Sequence, residues 1–199
     1  MEISLEIIKE LREKTGCGMM DCKAALNETK GHMDKAIEHL RKKGFAAINK
    51  RAERVASQGI VESYVHLGGK IGVLVEVNCE TDFVARNSDF QAFARDLAMQ
   101  VAASNPQYIN KEEVPEEVLA KEKDILRQQT IASGKPANIA DKIVEGKLSK
   151  FYEEICLMEQ AFIKDPAKKI KDLLADLAVK IGENIIIRRF VRYQLGEKS

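Results

Sequence analysis

Residues 58–78, QGIVESYVHLGGKIGVLVEVN, constrain the fold more than any other stretch of the chain. Side chains of an extended chain alternate between faces, so Ile71, Val73, Val75 and Val77 share one face while Leu74 and Tyr64 lie on the reverse. Gly68-Gly69 supplies the positive backbone angles of a tight turn between the two runs, which makes the stretch a hairpin. The GGK of this turn is no phosphate-binding loop, because the upstream glycine, a Ser or Thr after the lysine and a following helix are all missing.

Helical periodicity governs what precedes the hairpin. SLEIIKELREKTG places Leu5, Ile8 and Leu11 about one turn apart, with Ser4 as N-cap and Gly16 as stop. MMDCKAALNETK, closed by Gly31, predicts a second helix. DKAIEHLRKK predicts a third, with Asp34 as cap, Ile37 and Leu40 inward and Gly44 ending the turn. Three short helices make a compact bundle with little core of its own, marginal unless it docks on something else. Residues 41–54, with six basic side chains against one acidic, extend the third helix or link it onward. The division expected is a helical bundle with linker over 1–54 and a core and dimerisation domain over 55–199.

After the hairpin, Ser88 and Gln91 stand in capping-box spacing ahead of a helix with Phe90, Phe93, Leu97 and Val101 along one face. Two or three further helices are expected over 115–160, opened by Pro115 and interrupted near Gly134 to Pro136 and at Gly146. Asp165-Pro166 reads as the cap and first turn of a helix carrying Ile170, Leu173, Leu174 and Leu177, stopped at Gly182. The chain closes with a third strand, NIIIRRFVRYQLG. Its Ile185, Ile187, Val191, Tyr193 and Leu195 share one side, and Ile186 and Phe190 stand among arginines on the other. Neither face of such a sheet is cleanly polar, so its reverse side needs cover from a second copy of the chain or from a second helical layer.

Composition narrows the chemistry. Hydrophobic residues at 45% and charged residues at 32% describe a globular protein; no long apolar run or leader pattern is seen, and a cytoplasmic location is expected. A net charge of +1 argues against a protein held mainly by phosphate contacts. RRFVR nevertheless interleaves Arg188, Arg189 and Arg192 with Phe190, a pattern able to stack single-stranded nucleic acid. Cys17, Cys22, Cys79 and Cys156 show no CxxC spacing and no histidines at ligand intervals, so neither a metal nor a cofactor is expected. No nucleophile elbow or HExxH motif is present, and the adjacent carboxylate pairs would point about 100° apart on a helix, which is unsuited to acid-base work.

One loop stands out. NCETDFVARNSDF, residues 78–90, joins the hairpin to the next helix but carries Phe83 and Val84 at its centre, where loops favour small polar residues. Phe83 either folds back into its own core or is offered to another protein.

The runs LREKTGCGMMDCKAALNETKG, CETDFVARNSDF and FVRYQLGE, in that order and spacing, resemble bacterial elongation factor Ts over nearly the whole chain. That family exchanges guanine nucleotides on elongation factor Tu, the GTPase that delivers aminoacyl-tRNA to the ribosome. The resemblance implies an α+β fold: an N-terminal three-helix bundle like a ubiquitin-associated domain, then a core with a three-stranded antiparallel sheet packed on helices. It implies that the bundle docks on the GTPase, with Arg12, Met19, Met20 and Lys23 as the matching contact candidates. It implies that Thr81, Asp82, Phe83 and Val84 intrude beside the partner's nucleotide site and dislodge its magnesium. No covalent chemistry, membrane contact or direct nucleic-acid contact is implied. Long members carry a second half of the core and a coiled-coil excursion, for which this chain is too short. Short members pair, so a homodimer is expected. The competing reading is an RNA-binding or structural interaction protein without exchange activity.

Overall fold

In the computed structural model the described residues are 3–51, 53–134 and 137–197. Helices α1 (Leu5–Thr15), α2 (Met19–Glu28) and α3 (Met33–Arg51) lead into strands β1 (Gln58–Val65) and β2 (Ile71–Cys79). The one-turn α4 (Asp82–Ala85), α5 (Ser88–Ser104), α6 (Glu116–Ala132) and α7 (Ala137–Ile155) follow. A small hairpin of β3 (Ala161–Phe162) and β4 (Asp165–Lys169), α8 (Ile170–Ile181) and β5 (Ile186–Gln194) complete the order. The fold is α+β, with an antiparallel three-stranded sheet in the order β1-β2-β5. The buried alternation of β2 is the one its sequence demands, with Val73, Val75, Val77 and Cys79 in the core and Leu74 exposed.

The chain divides into two compact units. The first comprises Met1–Glu62, Val75–Arg95 and Asp172–Arg188. Its helical bundle closes on Ile8, Leu11, Cys17, Cys22, Ala25, Leu26, Ala36 and Leu40. Ser4 caps α1 through its side chain, and Gly16, at φ 68°, ends it with an N–H to the Arg12 carbonyl. Leu5 departs from the expected inward stripe: it is exposed, and Ile3, just ahead of the helix, packs on the cluster instead. α3 likewise departs from expectation. It begins at Met33, so Asp34 lies in its first turn and is not its cap, and it runs on through Gly44 to Arg51. Gly44 is buried against Val179 of α8, where an added Cβ would overlap Val179 Cγ2. The glycine is thus a close-approach residue and not a stop. Arg51 Nη1 extends the same docking by donating to the Ala178 carbonyl at 3.3 Å.

The second unit comprises Ser63–Leu74, Asp96–Lys171 and Arg189–Ser199. Gly146 lies within α7 and does not interrupt it; α6 stops at Ala132, and residues 135–136 of the expected break lie outside the described residues. Asp165-Pro166 belongs to β4, not to a helix start, and α8 begins only at Ile170. The interior contains a polar knot: buried Gln100 donates to Gln160 Oε1 at 3.1 Å and to the Ala161 carbonyl, and accepts from Ile163 N at 2.9 Å. Glu159, with a side chain only 12% exposed, is ringed by Lys111, Lys169 and Lys171. Burial alone would raise its pKa, but the lysine bonds and charges outweigh that and hold the carboxyl below its usual range. Arg192, a member of the RRFVR run, spends its guanidinium internally on the Ala102 carbonyl, Gln194 and Glu197.

Within this second unit a set of apolar side chains stays in water. Val65 and Leu67 at the end of β1, Leu74 of β2, and Val191, Tyr193 and Leu195 towards the chain end are all exposed. The last three have the same strand parity as Ile187, which is buried, so β5 carries its apolar row from a covered stretch into an uncovered one.

Candidate functional site

β2 ends at Cys79 and α4 begins at Asp82, so the corner between them consists of Glu80 and Thr81. Thr81 is extended, at φ −126° and ψ 155°, and its Oγ1 accepts from Val84 N at 3.4 Å as the cap of α4. Consecutive helical side chains diverge by about 100°. Phe83 and Ala85 therefore point about 200° apart, and burying Ala85 turns Phe83 outward. The ring is 82% exposed, and Val84 between them is half-buried. Asp82 pairs with Arg86 at 3.1 Å, both side chains in solvent.

The chain leaves this turn under equally local control. Asn87, not Ser88, caps α5: its Oδ1 accepts from Asp89 N at 2.8 Å and Phe90 N at 3.3 Å. The capping-box spacing is one residue off because the turn of α4 consumes Arg86, leaving Asn87 as the last non-helical residue.

The corner is held from the far end of the sequence. Glu183 Oε2 accepts from Glu80 N at 3.0 Å and Thr81 N at 3.1 Å, and its Oε1 accepts from the Thr81 hydroxyl at 2.7 Å. Glu80 reciprocates: its Oε1 accepts from Asn184 N at 2.7 Å, and its Oε2 lies 3.5 Å from Arg54 Nη1. Asn184 Nδ2 in turn donates to the Arg54 carbonyl at 2.9 Å. The Cys79 thiol donates to the Thr81 carbonyl at 3.1 Å, and its pKa is pushed up to about 11, chiefly by burial and secondarily by the Glu183 charge. The sequence reading missed Glu183, Asn184 and Arg54. The available signal was an acid directly after the helix-stopping Gly182, at φ 84°, which turns the chain off α8.

The other candidates lie in the bundle of the same unit. Arg12 on α1 and Lys23 on α2 are exposed. Met20 is 77% exposed, whereas Met19 packs partly against the bundle core, so the two adjacent methionines divide between surface and interior. Among the described residues no three His, Cys, Asp or Glu side chains are grouped to hold a metal ion, and no helix is long and apolar enough to cross a membrane.

Comparison with known sequences bears on what this arrangement serves. A family described as Elongation factor TS matches residues 7–197. Elongation factor Ts of Carboxydothermus hydrogenoformans is 60% identical over 195 residues, covering 98% of this chain and 90% of that protein. Elongation factor Ts of Caldanaerobacter subterraneus subsp. tengcongensis is also 60% identical, covering 98% of each chain. That of Moorella thermoacetica is 60% identical over 190 residues, 96% of this chain and 94% of its own.

Proposed function

The chain belongs to the elongation factor Ts family, translation factors that exchange guanine nucleotides without covalent chemistry, and from that premise we propose how its parts divide the work. The bundle of residues 1–54 docks on elongation factor Tu through Arg12, Met20 and Lys23, with Met19 backing them. Residues 55–199 form the core that brings Thr81, Asp82, Phe83 and Val84 beside the partner's bound GDP and displaces its magnesium. GDP then leaves and GTP enters.

The observation that carries this reading is the exposure of Phe83 on an otherwise tightly bonded turn. An aromatic ring left in water gives up roughly 1.5 to 3 kcal/mol of burial, which becomes available when a partner encloses it. The mechanism is linkage. If the factor binds best to a GTPase whose metal and phosphate site is disturbed, GDP binds that complex correspondingly less well. That amount corresponds to about ten- to hundred-fold in an equilibrium or rate constant, so bundle contacts and the Asp82 charge supply the rest. The test is fluorescent GDP release from elongation factor Tu. Phe83→Ala retains binding and loses most of the stimulated release, whereas deletion of residues 1–50 chiefly weakens association. Equal loss of both properties in both variants would contradict the division.

The exposed row of Val65, Leu67, Leu74, Val191, Tyr193 and Leu195 supports pairing of two copies through this face. Light scattering should then give twice the 22.3 kDa chain mass, and a monomer mass at working concentration removes the pairing. The site of action is the cytoplasm, where translation occurs.

A further inference from the structure

Phe83 makes its position a problem for the backbone. A buried ring is located by the side chains packed around it, but an exposed ring is located only by the segment that carries it. That segment is short: two corner residues and one helical turn. Glu183 bonds both corner amides and the corner hydroxyl. The hydroxyl bond matters most for direction. Because Thr81 gives its proton to Glu183 Oε1, its oxygen lone pairs face Val84 N, the amide next to Phe83, and the start of α4 is fixed. Glu80 closes the arrangement from the other side by accepting from Asn184 N, so each carboxylate holds the backbone beside the other.

Resting on the exchange-factor reading above, we propose that Glu183 is a positioning residue for nucleotide release: with Glu80 it forms a crossed carboxylate latch that aims the Phe83 turn at the partner. Glu183 does not touch the ring; it acts through Thr81. Apolar packing cannot substitute for it, since Phe83 is in solvent and the nearest buried side chain of α4 is Ala85, too small to fix an orientation. The latch also explains why an acid follows Gly182 directly. The glycine's left-handed conformation turns the chain off α8, and Glu183 and Asn184 then meet the corner.

The experiment measures fluorescent GDP release from GDP-loaded elongation factor Tu, with binding measured in parallel, for full-length wild type, Glu183→Ala, Glu183→Gln, Phe83→Ala and the Phe83→Ala/Glu183→Ala double variant. A loosened Phe83 turn should cost Glu183→Ala about ten- to hundred-fold in stimulated release while its affinity for the partner falls by less than about threefold. Glu183→Gln should recover only part of the rate, because its amide oxygen can accept both corner N–H groups while its NH2 cannot accept the Thr81 hydroxyl proton. In the Phe83→Ala background, Glu183→Ala should cost less than about twofold, since a residue acting through the ring has nothing left to aim. A rate unchanged by Glu183→Ala, an equal cost in both backgrounds, or no recovery by Glu183→Gln overturns the latch. If Phe83→Ala is slow while Glu183→Ala is normal, the exchange reading stands and the latch falls. If Phe83→Ala is itself normal, both fall. Should Glu183→Ala not fold, Thr81→Val removes only the hydroxyl bonds and carries the same comparison of backgrounds.

Discussion

The N-terminal bundle and the 79–87 turn belong to the same unit but are held together by opposite means. The bundle encloses Leu11, Cys22 and Leu26 completely and leaves most of its charge in solvent. The turn leaves its largest apolar side chain in solvent and uses carboxylates, amides and a hydroxyl to hold its backbone. Apolar packing is non-directional and tolerates small shifts, whereas hydrogen bonds to a charged acceptor specify direction. A surface offered to a partner must forgo the first and rely on the second. Unit two combines the two means, since Gln100 and the lysines around Glu159 bond segments that also bury Leu157 and Phe162.

The comparison breaks most readily in the bundle. Leu26→Ala should destabilise the protein by about 2 to 5 kcal/mol, because the removed methyl groups leave a cavity that the neighbouring helices fill only partly. Chemical denaturation measures it, and a loss below that range would mean that the bundle core is loosely packed. Alkaline titration tests the turn and unit two together. Cys79 and Cys156 have pKa values of about 11 against an ordinary 9.0, both raised chiefly by burial. The unfolded chain therefore ionises first, so stability is unaffected below the ordinary thiol range and falls as pH rises from about 9 towards 11. The expected loss is about 2 to 3 kcal/mol per thiol, read as a flatter pH profile of stability in Cys79→Ala or Cys156→Ala. Phe83→Ala sharpens the contrast with the smallest stability effect: thermal unfolding stays within about 0.5 kcal/mol of wild type, as for other surface changes, while stimulated GDP release drops.

Much of this architecture was legible along the chain. α1 sits between the cap and stop that Ser4 and Gly16 announce, and β2 follows its alternation beyond the glycine pair. Tyr64, expected on the reverse face with Leu74, instead stands opposite Val73, because His66 N bonds the Ile71 carbonyl and sets the register. The departures have separate causes. Gly44 and Gly146 read as breakers, yet both lie within helices, and at Gly44 α8 approaches too closely for a side chain. Asp165-Pro166 carries a helix-start signature, but its backbone pairs with β3. Ser88 had the better capping pattern, and Asn87 took the role because α4 ends at Ala85 with Arg86 as its C-cap, which leaves Asn87 directly ahead of α5. At Gly44 and Asp165-Pro166 a local signal met a neighbour it could not see, whereas nothing lies within 4 Å of a Cβ added at Gly146.

The candidate site divides in the same way. Sequence by itself determined that an aromatic residue sits in a polar turn and that two methionines open the second helix, because these are properties of neighbouring positions. Whether Phe83 faces water, which methionine is exposed, and that Glu183 holds the turn across a hundred residues were decided only by the tertiary structure. The physical reason is that periodicity and capping act within a few residues, whereas burial and carboxylate–amide bonds depend on which distant segments the fold brings together.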